Sequence, residues 1–262
     1  MANVTGPGRM AGGGADGERG DRWRPLDGWV HFLLPSPCLG CGVPLPAGRS
    51  PLALCRACRQ ALPAAGSACA GCGAPLPAAE PPAGYRCGDC RARPAAFGLL
   101  IVPWRYAPPL DAVILALKFR RLEHLGEDLG GALAAAVGER LAGCDLVVPV
   151  PLHWRRRLTR GYNQAESIAR PLAGRLGLPA ADPLVRQRAT PPQTSLDREA
   201  RRRNLRAAFA LPRPAAVRRR TVALIDDVVT TGATLDAAAR CLLDGGAAAV
   251  VAVAAARTPE EP

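Results

Sequence analysis

The chain has 262 residues, 48% of them apolar, and a formal net charge of +12. That apolar content is enough for a buried core and too high for a chain that stays unfolded throughout. No apolar run free of charge reaches the ~18 residues of a membrane-spanning helix, which excludes a membrane-spanning role at this level.

The positive charge is a single block. Residues 153–220 hold 17 arginines against four acids, so the rest of the chain is close to neutral. A block of this kind points to anionic partners: phosphates, pyrophosphate or nucleic acid.

In chain order, residues 1–28 are Gly-rich and charged and are expected to form a disordered tail. Residues 29–35, WVHFLLP, form a short apolar piece expected to dock on the folded body. The cysteines follow. Eight of the ten fall in four C-x-x-C pairs, Cys38/Cys41, Cys55/Cys58, Cys69/Cys72 and Cys87/Cys90. No secretory signal is read before them, so reduced metal ligands in a cytoplasmic protein are expected rather than disulfides. Two thiolates three residues apart hold one metal from one tight turn, and two such turns complete a tetrahedral four-cysteine site. CLGCGVPLP at 38 repeats as CAGCGAPLP at 69, which favours two sequential ribbons while leaving interleaved pairing open. Gly40, Gly42, Gly71 and Gly73 suit turns in which the backbone approaches sulfur closely. With every ligand a cysteine, no position is left for a catalytic water, so two structural zinc ions are expected. Cys144 and Cys241 read as small buried apolar residues.

A domain boundary is expected near residue 93, with the double zinc ribbon over 29–93 and an α/β domain over 94–258. Within the latter, 97–106 reads as a strand and 109–119 as a helix with Val113, Ile114 and Leu117 on one face. A further helix is expected over 126–142 and a buried strand running into a loop over 145–152. Residues 161–177 read as helical, with Pro171 expected to kink the helix or cap a second segment. Residues 186–205 are polar and Arg-rich and read as a mobile loop. Strands at 207–211, 221–227 and 247–256 and a helix at 233–244 complete the pattern. Alternating strands and helices predict a parallel sheet with helices on both faces and a ligand at the carboxyl ends of the strands.

The sharpest segment is VALIDDVVTTGATL at 222–235. A buried strand ends on two carboxylates, and a small-residue turn then opens a helix. Amides at a helix N-terminus, with the hydroxyls of Thr230, Thr231 and Thr234, suit a phosphate, and Gly232 allows close backbone approach. Asp226 and Asp227 would repel that phosphate, so a sugar diol, bound directly or through Mg²⁺, is the sensible target. Lys118 is the only lysine beside 33 arginines. A compact ammonium retained there suggests contact with a phosphate or an active-site carboxylate. His31, His124 and His153 show no triad or metal spacing.

Residues 222–235 resemble the phosphoribosyl pyrophosphate (PRPP) signature of type I phosphoribosyltransferases. VPVPLHWRRRLTRGYNQA at 148–165 and RQRATPPQTSLDREARRRNLRAAF at 186–209 resemble the ComF branch more narrowly. The resemblance implies a type I phosphoribosyltransferase-like fold after a double zinc ribbon. It implies that Asp226 and Asp227 contact the ribose hydroxyls and that Thr230, Thr231, Gly232, Ala233 and Thr234 form the 5′-phosphate loop. Arg160, Gly161 and Asn163 would stand near the pyrophosphate, with Lys118 assisting. A catalytic flexible loop would be anchored by Gln193, Arg198, Arg203 and Asn204, with Arg198 and Arg203 stabilising departing pyrophosphate. Asp-Asp stands here where many members have Glu-Asp. The implied activity is Mg-PRPP binding and phosphoribosyl transfer to an acceptor the sequence does not name. The implied context is DNA uptake in competence, with single-stranded DNA and uptake proteins as partners. A non-enzymatic DNA-handling protein and a PRPP-sensing adaptor are the alternatives.

Overall fold

A computed structural model describes residues 36–76, 82, 84–187 and 208–259. The expected tail, the apolar piece at 29–35, and Gln193, Arg198, Arg203 and Asn204 lie outside the described residues.

The cysteine region contributes two short helices, α1 (Arg56–Gln60) and α2 (Gly88–Ala92). Beyond it come β1 (Leu99–Ile101), β2 (Trp104–Arg105), α3 (Leu110–Phe119), α4 (His124–Val137), β3 (Leu146–Pro149), α5 (Trp154–Arg160) and α6 (Gln164–Leu176). The chain ends with β4 (Val185–Arg186), β5 (Phe209–Ala210), β6 (Thr221–Val229), α7 (Ala233–Asp244) and β7 (Ala249–Arg257). Among the described residues no helix is long and apolar enough to cross a membrane.

The main sheet is parallel, in the order β1–β7–β6–β3, with β2 also on β7. The expected strand over 97–106 is one edge strand in two pieces. Leu99 pairs with Val251 and Trp104 with Ala256, so the register is continuous across the gap. Pro103 has no N–H to give a ladder, which explains the interruption. A short parallel bridge, Val147 to Ala180, extends the other edge.

Alternating strand residues build a core on each face. Val147, Ala223, Ile225 and Val253 pack with α3, α4 and α6. Leu146, Val148, Val222, Leu224 and Ala252 pack with α7 and the β4–β5 pair. The amphipathic spacing is plain in α3, where Leu110, Val113, Ile114 and Leu117 are all buried, and it recurs in α7 at Leu235, Ala238, Ala239 and Leu242.

The helix over 164–176 runs on past Pro171, so this proline caps no second segment, and the helix lies so close to α4 that a Cβ on Gly130 would stand 2.4 Å from the Ile168 carbonyl oxygen and 3.1 Å from Pro171 Cβ. Close packing against that glycine face holds the helix together through the proline. Helix α5 was not expected, because WRRRLTR carries almost no apolar periodicity.

Candidate functional site

The four C-x-x-C pairs converge in sequence order. The sulfurs of Cys38, Cys41, Cys55 and Cys58 lie within 4.8 Å of one another, as do those of Cys69, Cys72, Cys87 and Cys90. Both sets fit a structural zinc ion with no open position. The repeat in sequence is a repeat in hydrogen bonds. Cys38 N donates to Val43 O and Gly42 N to Cys38 O, and Cys69 N donates to Ala74 O and Gly73 N to Cys69 O. Gly42 and Gly73 have φ of +76° and +71°, where a side chain is strained. Gly40 and Gly71 are required by space. A Cβ on Gly71 would stand 2.8 Å from Cys90 Cβ and 2.9 Å from its sulfur. Gly71→Ala is therefore expected to lower zinc content at the second site and destabilise the fold by about 1–3 kcal/mol, read by metal analysis and thermal unfolding.

One thiol in each set is tuned differently from its neighbours. Burial opposes ionisation of Cys38, but N–H groups of Cys55, Cys41 and Gly40 outweigh it and bring the thiol down to about 6. Cys69 is brought to about 6 against burial by Cys87, Cys72 and Gly71. Burial, with help from neighbouring thiols, pushes Cys58 up to about 12 and Cys72 to about 11, and Cys90 higher still. Metal capture must displace protons from these raised thiols. Zinc uptake at pH 7 is therefore expected to release protons, and affinity to fall steeply as pH drops below about 6, where Cys38 and Cys69 also protonate. Calorimetry in buffers of different ionisation enthalpy reads the proton count.

The ribbons are joined to the sheet. Arg49 pairs with Asp128 at 2.8 Å, and Leu52 N donates to Asp128 Oδ2 at 2.8 Å, which fixes the first ribbon on α4. Arg105 N donates to Pro63 O and Ala65 N to Pro103 O, both at 2.8 Å, so the outer edge of β1–β2 is covered.

The second constellation lies at the carboxyl ends of β3 and β6. These strands neighbour each other, yet the chain leaves β3 toward Ala180 on the far side and returns to β6 on the near side. In such sheets the carboxyl ends of the strands at a reversal of this kind are the usual place for a ligand crevice. Side-chain alternation slips by one across Asp226 and Asp227, because Ile225 and Val228 pack on one face and Leu224 and Val229 on the other. Asp226 Oδ1 accepts from Asp227 N at 2.9 Å and Asp227 Oδ1 from Val228 N at 2.8 Å. Lys118 Nζ stands 2.7 Å from Asp227 Oδ2. This ion pair gives Oδ2 its side-chain partner. Burial, then the charge of Asp227, holds the Asp226 carboxyl well above the usual carboxylate range, with Lys118 pulling the other way.

The following turn is open to solvent. Thr230 and Thr231 are exposed and Gly232, Ala233 and Thr234 half-buried. Gly232, at φ +76°, caps α7, and Thr231 Oγ1 accepts from Ala233 N at 3.5 Å.

Across the crevice, Asn163 is buried and donates from Nδ2 to Val150 O at 3.1 Å. Gly161 has φ +87°. Arg160 lies over the Phe119 ring at 5.2 Å and donates to Gln164 Oε1 at 3.1 Å, while the Tyr162 hydroxyl donates to Leu117 O. The 160–164 segment is thus fixed to the end of α3, the turn of chain that carries Lys118. Lys118 faces Asp227, while Arg160, Tyr162 and Asn163 hold the 160–164 segment against Phe119, Leu117 and Val150 at the ends of α3 and β3.

Sequence reasoning missed Tyr106 and Phe97. Burial raises the Tyr106 hydroxyl, and the charges of Asp111 and Asp227 raise it further. Phe97 Cζ lies 4.0 Å from the position a Cβ on Gly232 would take. Single aromatic residues outside any motif gave no signal.

The molecule is therefore a parallel α/β protein with a crevice of carboxylates and a helix-capping turn, bearing two four-cysteine centres. Residues 29–91 match the double zinc ribbon domain. The chain is 37% identical over 155 residues to the DNA utilization protein YhgH of Escherichia coli K12, covering 57% of this chain and 67% of that protein. It is 33% identical over 161 residues to competence protein F of Haemophilus influenzae, covering 57% and 69%. Among solved structures, it is similar to the glutamine PRPP amidotransferase of B. subtilis, with a TM-score of 0.35 and 22% identity over 49% of this chain and 25% of that one. It is also similar to a purine phosphoribosyltransferase of Pyrococcus horikoshii, with a TM-score of 0.32 and 17% identity over 52% and 91%. The chain belongs to the ComF family.

Proposed function

We propose that the crevice binds PRPP as its Mg²⁺ complex. The observation that carries this reading is the half-buried pair Asp226 and Asp227, shortly before a helix-capping turn rich in hydroxyls whose Thr230 and Thr231 are exposed. The turn from 230 to 234 takes the 5′-phosphate on its amides and hydroxyls. The two carboxylates accept hydrogen bonds from the ribose diol, with Lys118 balancing the charge of Asp227. Arg160, Gly161 and Asn163 face the pyrophosphate. The oxygen donors suit a hard cation, and Mg²⁺ on the pyrophosphate would offset its negative charge. The proposed cytoplasmic location fits the reduced cysteines.

Charge placement of this kind supports phosphoribosyl transfer, in which the chain positions C1 of the ribose and neutralises the leaving group. The test is calorimetric titration of zinc-loaded protein with Mg-PRPP, followed by the Asp226→Asn/Asp227→Asn variant. Binding by wild type and its loss in the variant is the expected result, and a wild type that does not bind sinks the proposal. Pyrophosphate release with added nucleobases then reads turnover.

Lys118 deepens the site, since its ammonium already faces Asp227 at 2.7 Å. Lys118→Arg puts a wider planar group into a half-buried position and is expected to weaken Mg-PRPP binding about tenfold, near 1.4 kcal/mol. Unchanged affinity would remove Lys118 from the site.

A second reading, single-stranded DNA handling, has its own observation. Phe119 is 67% exposed and Trp154 54% exposed, and Arg120, Arg121 and Arg157 beside them are exposed as well. Rings and guanidinium groups together suit stacking on bases. This reading predicts oligonucleotide affinity that falls steeply with salt and drops in Trp154→Ala.

A further inference from the structure

Arg257 ends the central strand β7, and it is the one arginine buried among the described residues, at 5% exposure. An apolar side chain would serve sheet packing as well, and a buried guanidinium is expensive without strong acceptors. Its Nη1 donates to the carbonyl oxygen of Cys72, a ligand residue of the second four-cysteine centre. The knuckle also rests on its stem, since a Cβ on Gly73 would lie 3.6 Å from Arg257 Cδ. A zinc ion held by four thiolates is formally dianionic, so the guanidinium has a fixed counter-charge when the metal is bound.

On its other side the backbone of Arg257 meets β6. It pairs in register with Val229, the last residue of β6, and Thr258 N donates to Val229 O at 3.0 Å. Val229 Cγ2 lies 3.9 Å from where a Cβ on Gly232 would stand, so this residue supports the turn at the head of α7. One contiguous path runs from Cys72 and Gly73 through Arg257 and Val229 to Gly232.

We propose that Arg257 is a positioning residue that ties the second zinc knuckle to the 230–234 turn, so that metal at Cys69, Cys72, Cys87 and Cys90 holds this turn in its binding shape. The role of the turn as a phosphate loop rests on the reading above, but the mechanical coupling does not. Loss of the metal releases the knuckle whose Cys72 carbonyl holds Arg257, frees the end of β7 and loosens the turn while the far edge of the sheet stays folded.

Hydrogen–deuterium exchange on the full zinc-loaded chain at low protein concentration tests this. Zinc removal by a chelator is expected to speed exchange at 229–236 by at least about tenfold while 146–149 and 164–176 keep their protection. Arg257→Met is expected to produce the same local rise with zinc content unchanged, and Arg257→Lys, which keeps the charge, a smaller one. Should Arg257→Met fail to fold by circular dichroism, the chelation arm and Arg257→Lys decide. Protection at 229–236 that survives verified zinc loss overturns the proposal, as does a rise spread equally over 146–149. A parallel Mg-PRPP titration separates the two ideas, because a wild type that ignores PRPP but shows the exchange coupling fails only the ligand reading.

Discussion

Asp226→Asn is expected to make the ligand-free protein more stable and to cripple Mg-PRPP binding. Burial and the neighbouring charge of Asp227 raise the Asp226 carboxyl well above the usual range. Over the window from the ordinary carboxylate value, about 4, up to that raised value, the folded chain holds a proton that the unfolded chain has released. Stability therefore falls as pH rises through this window, because the folded surroundings oppose ionisation of this carboxyl. Asparagine keeps the shape and can still accept from Asp227 N without the charge. A gain on the order of 1 kcal/mol is expected, which moves the Tm of a domain of this size upward by about 2–4 °C. The same change weakens a charge-assisted bond to a ribose hydroxyl, worth about 1.5–3 kcal/mol, so affinity should drop about 10- to 100-fold. A lower Tm with unchanged affinity would mean that Asp226 is a structural cap. The opposed signs separate a ligand-binding carboxylate from a scaffold residue, whose replacement would lower Tm alone.

This opposition also explains why the carboxylate pair stands out in the sequence as a candidate site. Two adjacent acids at the end of a buried strand run against stability, so their presence points to a ligand. The metal ligands were legible because C-x-x-C geometry is local and the CLGCGVPLP and CAGCGAPLP segments repeat it. Helix α7 was read at its observed limits because Gly232 marks its start and Leu235, Ala238, Ala239 and Leu242 keep one face apolar. Where periodicity was missing the reading failed, as in α5, whose arginines give no face to count. The continuation of the helix past Pro171 was not readable locally, because the residue it packs against, Gly130, lies on another helix. The pairing of Lys118 with Asp227 joins residues far apart in the chain. Composition singled out the lysine, but only the fold supplies its partner. The hydrogen bonds that join the ribbons to the sheet edge, such as Arg105 N to Pro63 O, involve backbone atoms alone and leave no trace in residue identity.

Those backbone bonds carry the second large expectation. Among the described residues of 36–76, the buried large apolar side chains are Leu45, Leu52 and Leu54, too few to fold this segment by burial. The metal must supply the difference, on the order of 10 kcal/mol for a structural zinc site. Stripping both ions is expected to unfold the cysteine region and lower Tm by more than about 10 °C. Two contacts then go together. Asp128 loses Arg49 and the Leu52 amide on the surface of α4, and the strand edge at Pro103 and Arg105 loses its pairing with residues 63–65. An uncovered edge recruits other strands, so the stripped protein is expected to self-associate at concentrations where the zinc-loaded protein does not. Light scattering and size-exclusion chromatography before and after chelation, with zinc content measured on the same sample, read this directly. Substituting one ligand at a time sharpens the result. Cys41→Ser should free α4 first, whereas Cys72→Ser should expose the sheet edge and reach the 230–234 turn through Arg257. If verified removal of both ions leaves Tm and particle size unchanged, the ribbons hold themselves by packing, and the metal is not what keeps them on the sheet.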